Sequence, residues 1–281
     1  MKKLRNWDEF DRASEAATDA AIDNILRVAR QRLNRALAPI RRPAARVGVI
    51  ESRLGRLLAA ESPRGLVALS YLDLSDGTVT ITALKQKFDL VDDPAAAARI
   101  GAEIERHLAG NREAIAHRPI DLSLVASAFQ RRALTRLRDV PPGSVVTYQG
   151  LAAAIGSPSS QRAIGTAMAS NPLPIYVPCH RVIKSDGTIG NYGGGVARKL
   201  KLLRAEGFAV DRGDRVPPQA VYGHWQSRIF CRPTCSAVRR AERKQWIIFT
   251  DSARAQGVGM RACKLCHPAG HERNAKLSGR K

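Results

Sequence analysis

Four of the five cysteines fall in two close pairs, and that spacing restricts the fold more than any other feature of the chain. Cys231 and Cys235 have three residues between them, Cys263 and Cys266 have two, and 27 residues separate the pairs. Two thiol pairs at this separation suit one tetrahedral Zn2+ site, so the intervening chain must bring them to a common point. His267 and His271 are alternative donors, but four thiolates make the simpler set. The chain opens with basic residues and no apolar run behind them, so no signal peptide is expected. No stretch reaches the roughly 20 apolar residues of a membrane span. An intracellular, cytoplasmic protein is the expectation, and there cysteines act as metal ligands or catalysts rather than in disulfides.

The fifth cysteine has a different setting. Pro178-Cys179-His180-Arg181-Val182-Ile183 places a thiol directly before an imidazole, behind a run, Pro174-Ile175-Tyr176-Val177, that reads as a strand. A thiol is a strong nucleophile only as thiolate, and a neighbouring imidazole or positive charge lowers its pKa towards neutrality. Taken alone, such a pair is more often a buried structural cysteine beside a surface histidine.

Charge narrows the partner. Lys and Arg number 46 against 25 Asp and Glu, a net charge of +21 over 281 residues. Such a balance suggests a polyanion, most simply nucleic acid. The periodicities predict an α+β chain in four parts. Residues 1–46 read as a basic helical extension, with Ile22, Ile25, Leu26, Val28 and Leu33 at helical spacing. Residues 47–122 read as a small α/β scaffold domain with strands over 47–50 and 66–71 and a helix over 95–108; nothing in it has catalytic spacing. Residues 123–210 carry helices over 128–137, 149–155, 161–169 and 196–205. The middle two, joined across Gly156 and Ser157-Pro158-Ser159, suggest a winged helix-turn-helix-like unit. Residues 211–281 form the small zinc-bound module with a basic tail. From Gly223 onward, 13 Lys and Arg face 3 Asp and Glu, a net of +10.

Several segments of the third part, in order, match a known pattern. They are Val146-Thr147-Tyr148-Gln149, Arg162-Ala163-Ile164-Gly165, Asn171-Pro172-Leu173-Pro174, Pro178-Cys179-His180-Arg181, Gly190-Asn191-Tyr192 and Leu202-Leu203-Arg204-Ala205-Glu206-Gly207. This set resembles O6-alkylguanine-DNA alkyltransferases, and a weaker resemblance runs back to about Val47. The resemblance implies single-turnover DNA repair, with the damaged base rotated out of the duplex so that its alkyl group reaches a buried thiol. It implies Cys179 as acceptor, deprotonated through a water by His180, which Glu206 orients. Asn171 shapes the turn before the thiol, and Tyr148 turns the phosphate and hydrogen-bonds the guanine. Arg162 fills the gap left by the base, while Tyr192, Gly193 and Gly194 form the loop over it. Gly193 departs from relatives that often carry a hydroxyl there. Ala133 and Leu134 stand where larger apolar residues are frequent.

The segments around Cys231-Arg232-Pro233-Thr234-Cys235 and Cys263-Lys264-Leu265-Cys266 resemble the metal-binding domain of Ada-type repair methyltransferases. That resemblance implies a second methyl acceptor, Cys231, reacting with DNA methylphosphotriesters, with Arg228, Arg232, Arg239, Arg240 and Arg243 near the phosphates. The order is reversed, since such a module usually precedes the alkyltransferase. The stretch before Arg228 is also too short for the module's own upstream strands, which must be missing or borrowed. The implied partner is double-stranded DNA carrying alkylated bases, with no membrane, no organic cofactor and a monomeric protein. A non-catalytic lesion-binding protein is the first alternative, and a methyl-responsive transcriptional regulator the second.

Overall fold

The computed structural model describes residues 22, 24–33, 42–240 and 245–268. Helix α1, described over 24–33, lies in a unit of its own that ends at Pro43. Its apolar residues Ile25, Leu26 and Leu33 are each more than half exposed. Apart from Ile22, which is also exposed, the rest of the expected extension up to residue 41 lies outside the described residues.

From Ala44 onward the first layer is a four-stranded sheet in the order β3-β2-β1-β4. Its strands are β1 (Ala44–Ser52), β2 (Gly55–Ser62), β3 (Gly65–Tyr71) and β4 (Asp89–Asp92), antiparallel except where β4 runs parallel to β1. β2 is absent from the sequence expectations, as is α2 (Thr78–Lys85). The Leu57-Leu58-Ala59-Ala60 run in β2 is buried on both faces and so shows no alternation to read. Helix α3 (Pro94–Leu108) starts on an Asp93 cap that accepts from the Ala96 N–H at 2.8 Å. It crosses β1 at glycines: a Cβ on Gly48 would meet the Ala97 Cβ at 2.7 Å, and one on Gly101 the Ile50 Cγ2 at 2.8 Å. The close approach therefore depends on both.

The helices expected over 128–137, 161–169 and 196–205 are α4 (Ala128–Leu137), α6 (Gln161–Ala169) and α7 (Val196–Ala205). α5 (Tyr148–Ala154) follows a Thr147 cap that accepts from the Gly150 N–H at 2.9 Å. α4, α5 and α6 pack on one another, which gives the expected helix pair.

The second sheet has six strands in the order β10-β8-β7-β9-β5-β6. β5 (Ser144–Thr147) and β6 (Val182–Ile183) belong to the middle of the chain. β7 (Val221–His224), β8 (Ile229–Cys231), β9 (Trp246–Phe249) and β10 (Arg261–Ala262) belong to the cysteine-rich end. β9 pairs antiparallel with β5 through Ser144↔Phe249, Val145↔Ile248 and Val146↔Ile247. All four β9 residues are buried, so the strand needs cover on both faces and a partner on both edges. The neighbouring region supplies one of those edges. The strands that the cysteine-rich end lacks are thus borrowed, and the described residues from Ala44 onward form one compact unit.

Candidate active site and metal centre

Pro174-Ile175-Tyr176-Val177 is not the expected strand. It is a chain of turns, and Cys179–Arg181 form a single 3-10 turn running into β6. Pro172, Pro174 and Pro178 remove the N–H donors that a ladder would need. Ile175 sits at φ 76°, a conformation unfavourable for a β-branched residue. Other contacts hold the turns in place. The Leu69 N–H of β3 donates to the Pro172 carbonyl at 2.8 Å, and the Tyr176 hydroxyl donates to Glu103 on α3 at 2.8 Å.

Asn171 spans the loop. Its Oδ1 accepts from the Leu173 N–H at 3.0 Å, while its Nδ2 donates to the Val177 carbonyl at 2.9 Å and to the Cys179 Sγ at 3.1 Å. Burial pushes the Cys179 thiol above its ordinary value, against the Asn171 bond and the positive charge of Lys199. The resting group is therefore a thiol, and its reaction requires a base to take the proton.

Behind the thiol lies a fully buried charge cluster. His180 Nε2 and Glu206 Oε1 are 2.8 Å apart. Arg181 donates to Glu206 twice, from Nε to Oε2 at 2.8 Å and from Nη2 to Oε1 at 2.7 Å. Burial alone would raise the Glu206 carboxyl, but Arg181 and the two histidines beside it hold it well below the usual carboxylate range. Burial pulls His180 below 6.5 despite Glu206, so the imidazole is neutral at neutral pH. With Nε2–H facing the carboxylate, its Nδ1 carries the lone pair and has no hydrogen-bonding partner in the protein.

Cys179 opens onto a cavity of about 330 Å3 lined by Tyr148, Gly165, Met168, Asn191, Tyr192 and Gly193. The volume lies in the range of small-ligand sites. The Tyr148 hydroxyl is raised by burial and by proximity to Cys179, so it stays protonated. Arg162 stands exposed near the start of α6. Tyr192 sets its ring edge-on to His180, with centroids 6.4 Å apart.

Four further residues complete the site; Arg198 and Lys199 precede the Leu202–Gly207 segment of the matched pattern, whereas Tyr71 and His107 carry no local sequence signal. Tyr71 of β3 meets Tyr192, hydroxyl to hydroxyl, at 3.1 Å. Arg198 lies over the Tyr71 ring at 4.6 Å, bonds Asp73 at 2.5 Å and the Gly194 carbonyl at 2.9 Å, and so ties the glycine loop to the first sheet. Lys199 is fully buried, donates to the Val182 carbonyl at 2.6 Å and is pulled down to about 8 by burial. His107, from α3, reaches Glu206 Oε1 at 3.1 Å. Residues 47–122 therefore contribute Tyr71 and His107 to a site from which spacing had excluded them.

The second centre is built locally. Cys231 ends β8, Cys235 lies in the next turn, Cys263 follows β10, and Cys266 closes the set. Their four sulfurs all lie within 4.8 Å of one another. A Zn–S bond of about 2.3 Å puts tetrahedral sulfurs roughly 3.8 Å apart, so the donor set fits Zn2+. Burial and the adjacent thiols raise Cys231, so a cluster this tight ionises fully only around a cation. The Arg232 N–H points at the Cys266 Sγ, 3.4 Å away. His267 is not one of the clustered donors, and His271 lies outside the described residues. The guanidinium of Arg228 bonds the Val258 carbonyl and that of Arg232 the His267 carbonyl, whereas Arg239 is exposed. Arg243 and the Arg240 side chain lie outside what is described. A cavity of about 530 Å3 opens beside the cluster, lined by Cys231, Cys263, His224 and Trp246 among others.

Known proteins match the regions that carry both centres. The family model described as 6-O-methylguanine DNA methyltransferase, DNA binding domain, matches residues 128–208, and the metal binding domain of Ada matches 208–269. The human methylated-DNA–protein-cysteine methyltransferase is 35% identical over 189 residues, covering 63% of this chain and 87% of that protein. The bifunctional transcriptional activator/DNA repair enzyme Ada of Escherichia coli is 38% identical over 169 residues, covering 60% of this chain and 47% of that protein. The regulatory protein ada of Salmonella typhimurium is 35% identical, with 42% of its length covered. The chain thus spans less than half the length of these two curated relatives. Among solved structures, the Mycobacterium tuberculosis O6-methylguanine methyltransferase aligns over 62% of this chain and 95% of its own, with a TM-score of 0.48 and 29% identity.

Proposed function

The chain belongs to the methylated-DNA–protein-cysteine methyltransferase family, and from that premise we propose that it repairs DNA by moving the alkyl group of O6-alkylguanine, irreversibly, onto Cys179. One observation carries the reading: a buried thiol, held by Asn171 beside a neutral His180 on an ionised Glu206, faces a cavity of about 330 Å3. A base stacked in a duplex cannot reach such a thiol, so the substrate is a guanine rotated out of the helix. Arg162 enters the gap that the base leaves. Tyr148 hydrogen-bonds the guanine, and Tyr192 with Gly193 and Gly194 closes over it.

His180 Nδ1 takes the thiol proton through a water while Glu206 compensates the imidazolium that forms. The S–C bond forms as the C–O6 bond breaks, guanine departs as its anion and is protonated from water, and the His180 imidazolium returns the thiol's proton to solvent. The thioether is stable, so each molecule acts once. Lys199 lies close enough to favour the developing thiolate. Repair of O4-alkylthymine is the same reaction on a smaller base. The substrate is double-stranded DNA, the protein acts as a monomer, and the compartment is the cytoplasm. No helix among the described residues is long and apolar enough to cross a membrane.

The cavity beside Cys231 favours a second activity, transfer of a methyl group from a DNA methylphosphotriester to the Cys231 sulfur, leaving the phosphate as an ordinary diester. Zn2+ held by Cys231, Cys235, Cys263 and Cys266 would keep these sulfurs as thiolates, so this acceptor needs no base. Both acceptors are tested by intact mass. O6-benzylguanine is expected to add one benzyl group to the unaltered protein and none to Cys179→Ala. Methylphosphotriester DNA is expected to label Cys231 in both. A benzylated Cys179→Ala protein would overturn the first assignment, and an unlabelled zinc-loaded Cys231 the second.

A further inference from the structure

We infer that His107, from the first domain, is a positioning residue for alkyl transfer: it shares the Glu206 carboxylate with His180 and fixes the tautomer and orientation of the reacting imidazole. The inference rests on the alkyl-transfer reading of Cys179 and His180. It starts from a count of donors. Glu206 Oε1 receives His180 Nε2 at 2.8 Å, His107 Nε2 at 3.1 Å and Arg181 Nη2 at 2.7 Å, whereas Oε2 receives only Arg181 Nε at 2.8 Å. An ionised carboxylate accepts only, so every partner must donate. Both imidazoles therefore carry hydrogen on Nε2 and, when neutral, keep the lone pair on Nδ1.

Burial makes this arrangement consequential. The side chains of His107, His180 and Glu206 are all wholly inaccessible to solvent. Without His107, one oxygen of a buried carboxylate loses a donor that water cannot replace. Arg181 still grips both oxygens, but Oε1 then meets His180 without the counter-pull from α3, and the distance and angle at which it holds the imidazole change. His107 also belongs to α3, which lies across β1, so the bond connects the first sheet to the acid–base pair of the second. The charged and titratable groups around the trio are few. Arg181 is on the 3-10 turn, Tyr192 is beside His180, and Lys199 is farther along α7. Arg112 and Arg254 bring their guanidiniums against Gly207, where a Cβ would meet them at 2.8 and 2.5 Å. Arg181 already donates to both carboxylate oxygens, and none of the others donates to Oε1 among the described residues.

The test uses the full chain and free O6-benzylguanine, which removes DNA binding from the measurement. His107→Phe keeps bulk without a donor and is expected to slow benzylation of Cys179 about ten-fold, the worth of one hydrogen bond to a charge. The acidic limb of its pH–rate profile is expected to rise, because Glu206 then acts on His180 alone. His107→Gln, whose amide can donate, is expected to recover most of the rate and the original profile. Wild-type rate and profile in His107→Phe would overturn the inference, as would a folded His107→Gln as slow as His107→Phe. Nitrogen NMR of the unaltered protein provides a test independent of variant folding: both histidines are expected as Nε2–H tautomers, and hydrogen on His107 Nδ1 alone would also overturn it. If the unaltered protein takes no benzyl group on Cys179, the alkyl-transfer reading fails instead, and the tautomer measurement still judges His107 as a Glu206 donor.

Discussion

The two sulfur centres hold their cysteines by opposite means. The cysteine-rich centre draws its ligands from two short segments, 231–235 and 263–266, and relies on a metal to hold them. The Cys179 centre draws on β3, α3, the 3-10 turn and α7, and relies on burial and exact hydrogen-bond counts instead. The first is local and tolerates change around it; the second fails if any contributor shifts. Yet both stand on one sheet, with Cys231 ending β8 and Cys179 one turn before β6, and β9 against β5 joining the two halves.

The largest expected effect tests the dependence of the Cys179 centre on its buried charge. Glu206→Gln strands the Arg181 guanidinium in the interior, and breaking a buried pair this way costs about 3–5 kcal/mol. It also removes the partner of His180, so benzylation of Cys179 is expected to fall about a hundred-fold. The two measurements are a thermal melt and a single-turnover rate. The unaltered protein should show the same weakness in acid. The Glu206 carboxyl is depressed in the fold, so its stabilisation is complete above 4.5, the ordinary carboxyl value, and disappears as pH falls through the depressed one. His180 is likewise depressed, so below about 6.5 the unfolded chain gains a proton that the folded one resists. Melting temperature should therefore decline from about pH 6.5 downward. A melting temperature unchanged from pH 7 to pH 5 would remove the contrast between the centres.

The next effect asks whether the shared sheet couples them. Stripping zinc with a chelator is expected to loosen β8 and β10 and, through β7 and β9, the strand β5 that leads to Tyr148. The melting temperature of the whole unit should fall by about 10 °C as a single transition, because structural zinc contributes folding energy directly. Benzylation of Cys179 should slow with it. Two separate transitions, with the Cys179 rate unchanged, would show that the β5–β9 pairing joins centres that are energetically independent.

How much of each centre the sequence reveals follows from the same contrast. Zinc ligands at spacings of three and two residues are a local pattern, so Cys231, Cys235, Cys263 and Cys266 can be read directly. Helices α4, α6 and α7 can be read as well, because an amphipathic period and a Gly or Pro stop lie within each segment. His107 and Tyr71 cannot be. They reach the site only through the crossing of α3 over β1 and the position of β3 beside Pro172, contacts spanning 99 and 121 residues. The turns before Cys179 are a different failure. Ile175, Tyr176 and Val177 have strand composition, and only the three prolines around them argue otherwise. The borrowed strand was foreseen as a need, since too little chain precedes Arg228, but nothing in Val145-Val146-Thr147 names Ile247 and Ile248 as its partners.

The smallest effect lies at Gly193, where the family resemblance leads one to expect a hydroxyl-bearing residue. The two neighbouring loop glycines differ in what they can accept. A Cβ on Gly194 would collide with the Tyr192 and Tyr71 rings at 2.5 and 2.7 Å, so that position has no room for a side chain. A Cβ on Gly193 meets nothing within 4 Å, and its backbone is not in the left-handed region. Gly193→Ser should therefore fold without strain and leave the benzylation rate within about two-fold. Because the loss of a loop glycine narrows the unfolded ensemble, stability should rise by about 0.5 kcal/mol. Gly194→Ser should lose activity by displacing Tyr192 from its place beside His180. If the two variants behave alike, the loop is not held by the tyrosine pair, and the Cys179 centre depends on fewer distant contacts than its geometry indicates.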